Sequence, residues 1–349
     1  MEEFRSEWEA EGFIYVPENT LLLNVETTGL RSSSSFVCMI SAAYRNNHDI
    51  TSITWLAGSR MDEKAMLLRL QDLADSFPAL LTYGGNSFAF RFLADRFDIY
   101  SEAVLFPDKQ LTDLQKSFRP LLHILPLTHM KKAEIESFLS FSRRGIRTGR
   151  ELIPVFETWE RQKDLSARDA LIQHAQEDIH FLCQVCKLHS YLDFLHGKWE
   201  SAGCSETAEG LLFSVSLSAP VPQPVSWQND FAGFHLAGKN GQALVVPYHG
   251  SLRYFLPGPC SDYYYLPEED TAIHRSVAQF VDRSRRVKAT PDTCYVNREG
   301  TFLPVPASFP GPLFSAARKS ALSYTEYDKE KWQQDTSLAG KYLTAIVSD

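Results

Sequence analysis

The sequence predicts an α/β domain, a mixed sheet flanked by helices, followed by a second, smaller α+β domain. Strand-like and helix-like runs alternate through the first 200 residues, as layered α/β domains require. Three strand-like runs joined by short connections precede the first long helical run, which reads as an antiparallel meander rather than a purely parallel sheet. Near residue 200 the composition turns to Ser, Gly and Pro, the signature of linker and extended backbone. The expected division is residues 1–200 and 201–349.

Taken in order, Leu21–Val25, Met39–Tyr44, Ile50–Leu56 and Ala79–Tyr83 are short apolar or alternating runs and are expected as strands. Met61–Phe77 has helical spacing and stops before Pro78, and Asn86 is placed to cap a helix running to about Phe97. Ser166 to about Leu195 carries Leu171, Ala175, Ile179, Leu182 and Cys186 on one stripe, with Ser166 and Asp169 in capping-box spacing. Ser201–Ser205 and Ala219–Pro224 read as linker. Beyond them, Phe231–Leu236, Gln242–Tyr248 and Ser251–Leu256 are expected strands, separated by turns at Lys239-Asn240-Gly241 and His249-Gly250. Thr271–Val281 is expected to be helical, and the acids Glu268, Glu269 and Asp270 suit its N-terminus better than a metal group with His274.

Composition narrows the function classes. A hydrophobic fraction of 44% over 349 residues supports well-formed cores. With no run of 18 apolar residues and an acidic beginning at Glu2-Glu3, the expectation is a cytoplasmic protein with no membrane partner. The six cysteines are scattered, which suits reduced thiols. Cys183 and Cys186 form a CxxC within a helical pattern, and small buried hydrophobes explain it better than zinc. The net charge of −8 argues against indiscriminate nucleic-acid binding. Local clusters then matter: Arg143, Arg144, Arg147 and Arg150 form one and Arg283, Arg285, Arg286 and Lys288 another, each either a solvated face or a phosphate contact.

Within the apolar run Leu21-Leu22-Leu23-Asn24-Val25-Glu26, only Asn24 and Glu26 are polar. Two residues apart on a strand, they share one face. The strand end that they mark is where α/β proteins place their chemistry. His174 and Asp178, four apart on the expected helix, share a face as well.

Three segments in order carry a resemblance: Asn24-Val25-Glu26-Thr27-Thr28-Gly29-Leu30, Tyr83-Gly84-Gly85-Asn86-Ser87-Phe88-Ala89 and His174-Ala175-Gln176-Glu177-Asp178. The first 200 residues resemble a DnaQ-like (DEDD) 3′–5′ exonuclease domain of ribonuclease H-like fold, closest to the YprB-type branch. The resemblance implies two-ion phosphodiester hydrolysis with Mg²⁺ or Mn²⁺ held by four acids. Here two of those positions hold Asn24 and Ala89, leaving Glu26 and Asp178 as metal ligands and Glu26, His174 and Asp178 as the catalytic remnant. Asn offers one neutral oxygen and Ala none, and Asp95, on another helix face, does not replace them. By the same resemblance Thr27, Thr28, Asn86, Arg143, Arg144, Arg147 and Arg150 would contact a nucleic-acid strand. Asp113, in an intermediate Asp-Leu element, is expected to have a structural hydrogen-bonding role, with a supplementary metal or substrate role as the alternative.

The resulting expectation is a protein that binds single-stranded DNA or RNA and has lost most or all nuclease activity. Two alternatives remain open: an active metal-dependent 3′–5′ exonuclease with a reduced acid set, and a protein-interaction scaffold without nucleic-acid role. The partner protein and the purpose of residues 201–349 are not legible.

Overall fold

A computed structural model describes residues 1–9, 15–85, 88–101, 108–146 and 148–347. Asn86 and Arg147 therefore lie outside the described residues. The chain divides into two compact units, one of Met1–Leu192 with Val221–Gln223, the other of Asp193–Pro220 with Pro224–Asp349. No helix among the described residues is long and apolar enough to cross a membrane.

The first unit is built on a six-stranded mixed sheet. Its strands are β1 (Glu2–Glu9), β2 (Thr20–Thr27), β3 (Val37–Asn46), β4 (Asp49–Leu56), β5 (Ala79–Thr82) and β6 (Gln110–Asp113), in spatial order β1-β4-β3-β2-β5-β6. The expected meander is present as antiparallel β2-β3-β4, and β5 and β6 continue the sheet in parallel. The sequence reading missed β1, which pairs with β4. Its charged residues suit an exposed edge, while Phe4 packs on the core and Glu3 accepts a hydrogen bond from the Trp55 indole at 2.9 Å.

Helices flank the sheet: α1 (Glu63–Ala74), α2 (Ala89–Ile99), α3 (Leu114–Ser117), α4 (Lys132–Phe138), α5 (Gly149–Gln162), α6 (Leu165–Val185) and α7 (His189–Leu195). A single core cluster joins Leu21, Leu23 and Val25 of β2 to Met66 and Leu70 of α1, Phe92 and Phe97 of α2, Phe156 of α5, and Leu171 and Ala175 of α6. Burial on this scale is the main stabilising term for the unit. The long helix expected from Ser166 to Leu195 is interrupted by a 3-10 turn at Cys186–Leu188. Its cap is Asp164, which accepts from Ala167 N at 2.8 Å, and not Ser166. Cys186 lies in that turn and its Sγ donates to Leu182 O, while burial pushes the Cys183 thiol up to about 12, as buried small hydrophobes require.

The second unit contains three antiparallel sheets. The largest has order β7-β8-β11-β10-β9, from β7 (Ser201–Glu206), β8 (Leu211–Ser216), β9 (Val225–Gln228), β10 (Gly233–Ala237) and β11 (Asn240–Val245). The expected linker at Ser201–Ser205 is thus a strand. A second sheet joins β12 (Tyr248–Phe255), β16 (Tyr295–Val305) and β17 (Ser323–Glu326), and a third joins β13 (Tyr263–Leu266), β14 (Thr271–His274) and β15 (Val287–Lys288). His249-Gly250, expected as a turn, lies inside β12, where Gly250 faces Gly300 across the ladder.

The helix expected at Thr271–Val281 is reduced to α8 (Arg275–Ala278), and the acids before it sit in the β13–β14 turn. There Asp270 adopts φ 46° and accepts from Tyr265 Oη at 2.5 Å and Asn297 Nδ2 at 2.7 Å, bonds that replace helix capping. Glu268 and Glu269 hold Arg285 at 2.7 and 2.8 Å, and Arg286 bonds the Ala278 carbonyl, so two of the four residues of the second basic cluster are drawn into local pairs. The chain ends in α9 (Lys329–Gln334) and α10 (Thr336–Val347), with Tyr342 of α10 donating to Pro304 O at 2.9 Å.

Candidate functional site

Asn24 and Glu26 leave the same face of β2 at its C-terminal end. A register shift against β3 falls between Glu26 and Thr27, and such a bulge re-aims the side chains beside it. The turn that follows consumes both threonines: Thr27 Oγ1 donates to Gly29 O at 2.8 Å and Thr28 Oγ1 accepts from Phe36 N at 3.1 Å. At Gly29 a Cβ would stand 2.5 Å from Ser35 Oγ, so a side chain there would require the Ser35 hydroxyl to turn away. Leu30, by contrast, is 86% exposed.

This turn is anchored from below by a buried ion pair. Glu63 of α1 and Arg96 of α2 are 0% and 1% exposed. Arg96 donates Nε to Glu63 Oε1 at 2.8 Å and NH1 to Ser32 O at 2.8 Å, while Val37 N and Tyr100 Oη also donate to Glu63. Every strong acceptor is used, which is the condition for a buried pair to be tolerated.

Across from β2, α6 brings His174 and Asp178, both buried, against the two polar residues of the strand. Asn24 Nδ2 bridges them, donating to Asp178 Oδ2 at 3.0 Å and to Glu26 Oε1 at 3.3 Å. The orientation of this amide is set by its neighbours: the opposite one would aim its oxygen at two carboxylates. His174 has Nε2 at 3.4 Å from Glu26 and 3.6 Å from Asp178, and Nδ1 at 2.9 Å from the Ile146 carbonyl. Both ring nitrogens face acceptors, an arrangement that favours the doubly protonated ring. Burial works against that charge, but the Glu26 hydrogen bond and the nearby Asp178 outweigh it and raise the His174 pKa.

Asp178 has further partners that sequence reasoning missed. Its Oδ1 takes Lys132 Nζ, from the first turn of α4, at 2.7 Å and Arg143 NH1 at 2.5 Å. Burial pushes this carboxyl up, yet Lys132, His174 and Arg143 together hold it below the usual carboxylate range. Arg143 also bonds Glu136 at 2.6 Å through Nε. Its approach to Asp178 is an ion contact with poor hydrogen-bond angles, so neither of its terminal nitrogens has a hydrogen-bond partner among the described residues. Both cations lie near the Phe181 ring, at 5.6 and 6.0 Å from its centroid.

Arg143 therefore does not face solvent as expected of a phosphate contact. Its side chain is 4% exposed and neutralises Asp178 from within. Arg144 and Arg150 are exposed, and Arg150 lies in the first turn of α5. Thr148 caps this helix, and the backbone of Gly149 passes close to Glu26. Ala89 opens α2 and is packed in the core cluster. Asp113 accepts from Gly84 N at 2.8 Å and from Gln115 N at 3.0 Å, the structural role expected of it. Asp95 is engaged by Ser32 Oγ at 2.6 Å and supplies no acid to the cluster. Beside the turn, a cavity of about 330 Å³ is lined by Leu30, Arg31, Ser32, Phe88, Arg91 and Asp95 among others, an unread pairing of apolar and cationic side chains.

Among the described residues, Glu26, His174 and Asp178 are the one group of metal-ligating side chains that converge, their ligand atoms within 4.8 Å of one another. Exonucleases of ribonuclease H-like fold generally use divalent metals. The donor set here does not fit that requirement. A hard dication needs free anionic oxygens, and those of Asp178 are already taken by an amide, an ammonium and a guanidinium. Glu26 is engaged through Oε1 alone, so one carboxylate oxygen is left, fewer than a hard dication takes, and the Arg143 N–H donors beside Asp178 are groups a cation cannot use.

The RNase H superfamily model matches residues 21–189. No curated protein matches the chain. Among solved structures it is similar to the family B DNA polymerase from the hyperthermophilic archaeon Pyrobaculum calidifontis, with 11% identity over 74% of this chain and 39% of the polymerase and a TM-score of 0.41. It is also similar to E. coli exonuclease I in complex with a dT13 oligonucleotide, with 10% identity over 62% of this chain and 54% of the exonuclease and a TM-score of 0.34. The chain thus spans less than two thirds of either neighbour. Residues 21–189, within the mixed sheet and its flanking helices, are thus similar to the RNase H superfamily.

Proposed function

We propose that this chain is a nucleic-acid-binding, 3′–5′ exonuclease-like protein that holds single-stranded DNA or RNA beside β2 and has little or no nuclease activity. The observation that carries this reading is the Asn24 amide spanning Glu26 and Asp178, an uncharged donor between the two remaining acids. Losing an ion from a two-ion site costs on the order of 10³-fold or more in rate. His174 offers no substitute: its Nδ1 faces the Ile146 carbonyl and its Nε2 the two acids, which leaves neither nitrogen aimed at a water. Strand binding is supported by the superfamily fold, by exposed Arg144 and Arg150, and by Leu30 with Arg31 and Arg91 around one cavity.

Fluorescence anisotropy with labelled single-stranded DNA and RNA across a salt series tests the binding. The expected result is salt-dependent affinity, with the slope falling by about 0.7 for each phosphate contact removed in Arg144→Gln or Arg150→Gln. Absence of binding at low salt would overturn it in favour of a protein-interaction scaffold. Incubation of the same strands with Mn²⁺ tests the chemistry: turnover that disappears in Glu26→Gln would establish an active exonuclease with a reduced acid set.

A further inference from the structure

We infer that Lys132, seconded by Arg143, is the resident cation of this cleft, replacing the divalent ions used elsewhere in the fold, and that a divalent ion enters only when Lys132 is removed. The inference rests on the reading of the cleft as lacking a two-ion acid set, but not on whether the cleft binds a nucleic-acid strand.

The charges balance without a metal. Asp178 and Glu136 face two cations, Lys132 and Arg143, and the His174 ring joins Asp178 to Glu26. All are linked by contacts of 2.5 to 3.6 Å. The two cations offset the cost of burying Asp178. A dication on Asp178 Oδ2 would lie within a few ångströms of Lys132 Nζ, which is 2.7 Å from the other oxygen of the same carboxylate. The two positive groups repel strongly at that range, so occupancy by one excludes the other.

Lys132 is also the removable member. Its side chain is 36% exposed whereas that of Arg143 is 4% exposed. Once Lys132 is gone, Asp178 and Glu26 carry one uncompensated charge, and Asn24 can turn its amide over to present oxygen instead of nitrogen. Together with His174 Nε2 this makes a mixed oxygen and nitrogen set. Such a set suits Mn²⁺ better than Mg²⁺, which prefers oxygen alone.

The test is Mn²⁺ binding to the full chain, followed by electron paramagnetic resonance of the free ion. Lys132→Met is expected to bind one Mn²⁺ on the order of 10²-fold more tightly than the wild type, from the removal of a unit charge beside a dication. Lys132→Arg, which keeps the charge, is expected to behave as wild type, and Lys132→Met with Glu26→Gln to lose the ion. Lys132→Gln serves as a second neutral variant should Lys132→Met fold poorly. Wild-type binding as tight as that of Lys132→Met, or no gain in either neutral variant with native circular dichroism, would overturn the inference. Anisotropy on the wild type reports the strand-binding reading separately: a protein that binds no oligonucleotide yet shows the Lys132 dependence keeps this inference and loses that one.

Discussion

Asp178→Asn separates a self-neutralised cluster from an acid site waiting for ions. In a site of the second kind, carboxylates held together without metal repel one another, and removing one charge stabilises the fold. Here Asp178 is the hub of an internal ion cluster, with Lys132 at 2.7 Å, Arg143 at 2.5 Å and Asn24 at 3.0 Å. Removing one member of a buried ion pair typically costs about 3–5 kcal/mol. Two features reduce that figure: Lys132 is partly exposed and can turn towards water, and Arg143 keeps Glu136 at 2.6 Å. The expected loss is therefore about 2–3 kcal/mol. Because the chain has two compact units, the measurement should be local. Hydrogen exchange across a urea series, read on amides of β2 and α6 in the presence of EDTA, reports it. An unchanged or increased opening free energy in Asp178→Asn would refute the reasoning.

Other outcomes follow from the same contacts. Glu63→Gln strands the buried Arg96 guanidinium and is expected to cost about 3–5 kcal/mol, read as an earlier urea transition of the first unit. By freeing Ser32 O it should also weaken oligonucleotide binding at the exposed Leu30 turn. The pH dependence has two limbs. His174 has its pKa raised by Glu26 and Asp178 over the opposing effect of burial, so its contribution is fully present below the unfolded value near 6.5 and is lost as pH rises through the higher folded value. Asp178 is held low against burial by Lys132, His174 and Arg143, so its contribution is present above the unfolded value of 3.8 and lost as pH falls through the lower folded value. Nuclear magnetic resonance titration of the His174 ring should give a value above 6.5, and His174→Gln should flatten the alkaline limb.

Much of the first unit is legible because its elements follow local rules. The run from Leu21 to Glu26 is apolar except at two alternating positions, and the meander after it has short connections. The elements that escaped are those whose pattern is masked. β1 alternates charges at a sheet edge, where no face is fully buried. α5 contains Gly149 and Pro154, residues that signal loop, yet Leu152, Phe156 and Trp159 bury a helical stripe through the interruption. In the second unit, Thr271–His274 is too short for periodicity to separate strand from helix.

The same contrast runs through the site. Asn24, Glu26, His174 and Asp178 are named by motif and spacing, and all four meet. Lys132 and Arg143 reach Asp178 from 46 and 35 residues away in sequence, distances at which no local pattern operates. Arg143 in particular sits among arginines that look like a solvated cluster, and only the tertiary fold turns it inward onto Asp178 and Glu136.

Anomalous scattering from a wild-type crystal soaked in Mn²⁺ shows whether Lys132 or a metal ion holds Asp178. No manganese peak is expected between Glu26 and Asp178, and continuous density is expected from Lys132 Nζ to Asp178 Oδ1. Two peaks about 4 Å apart, the spacing of a two-ion hydrolytic centre, bridged by Glu26 and Asp178 with Lys132 displaced, would contradict this expectation.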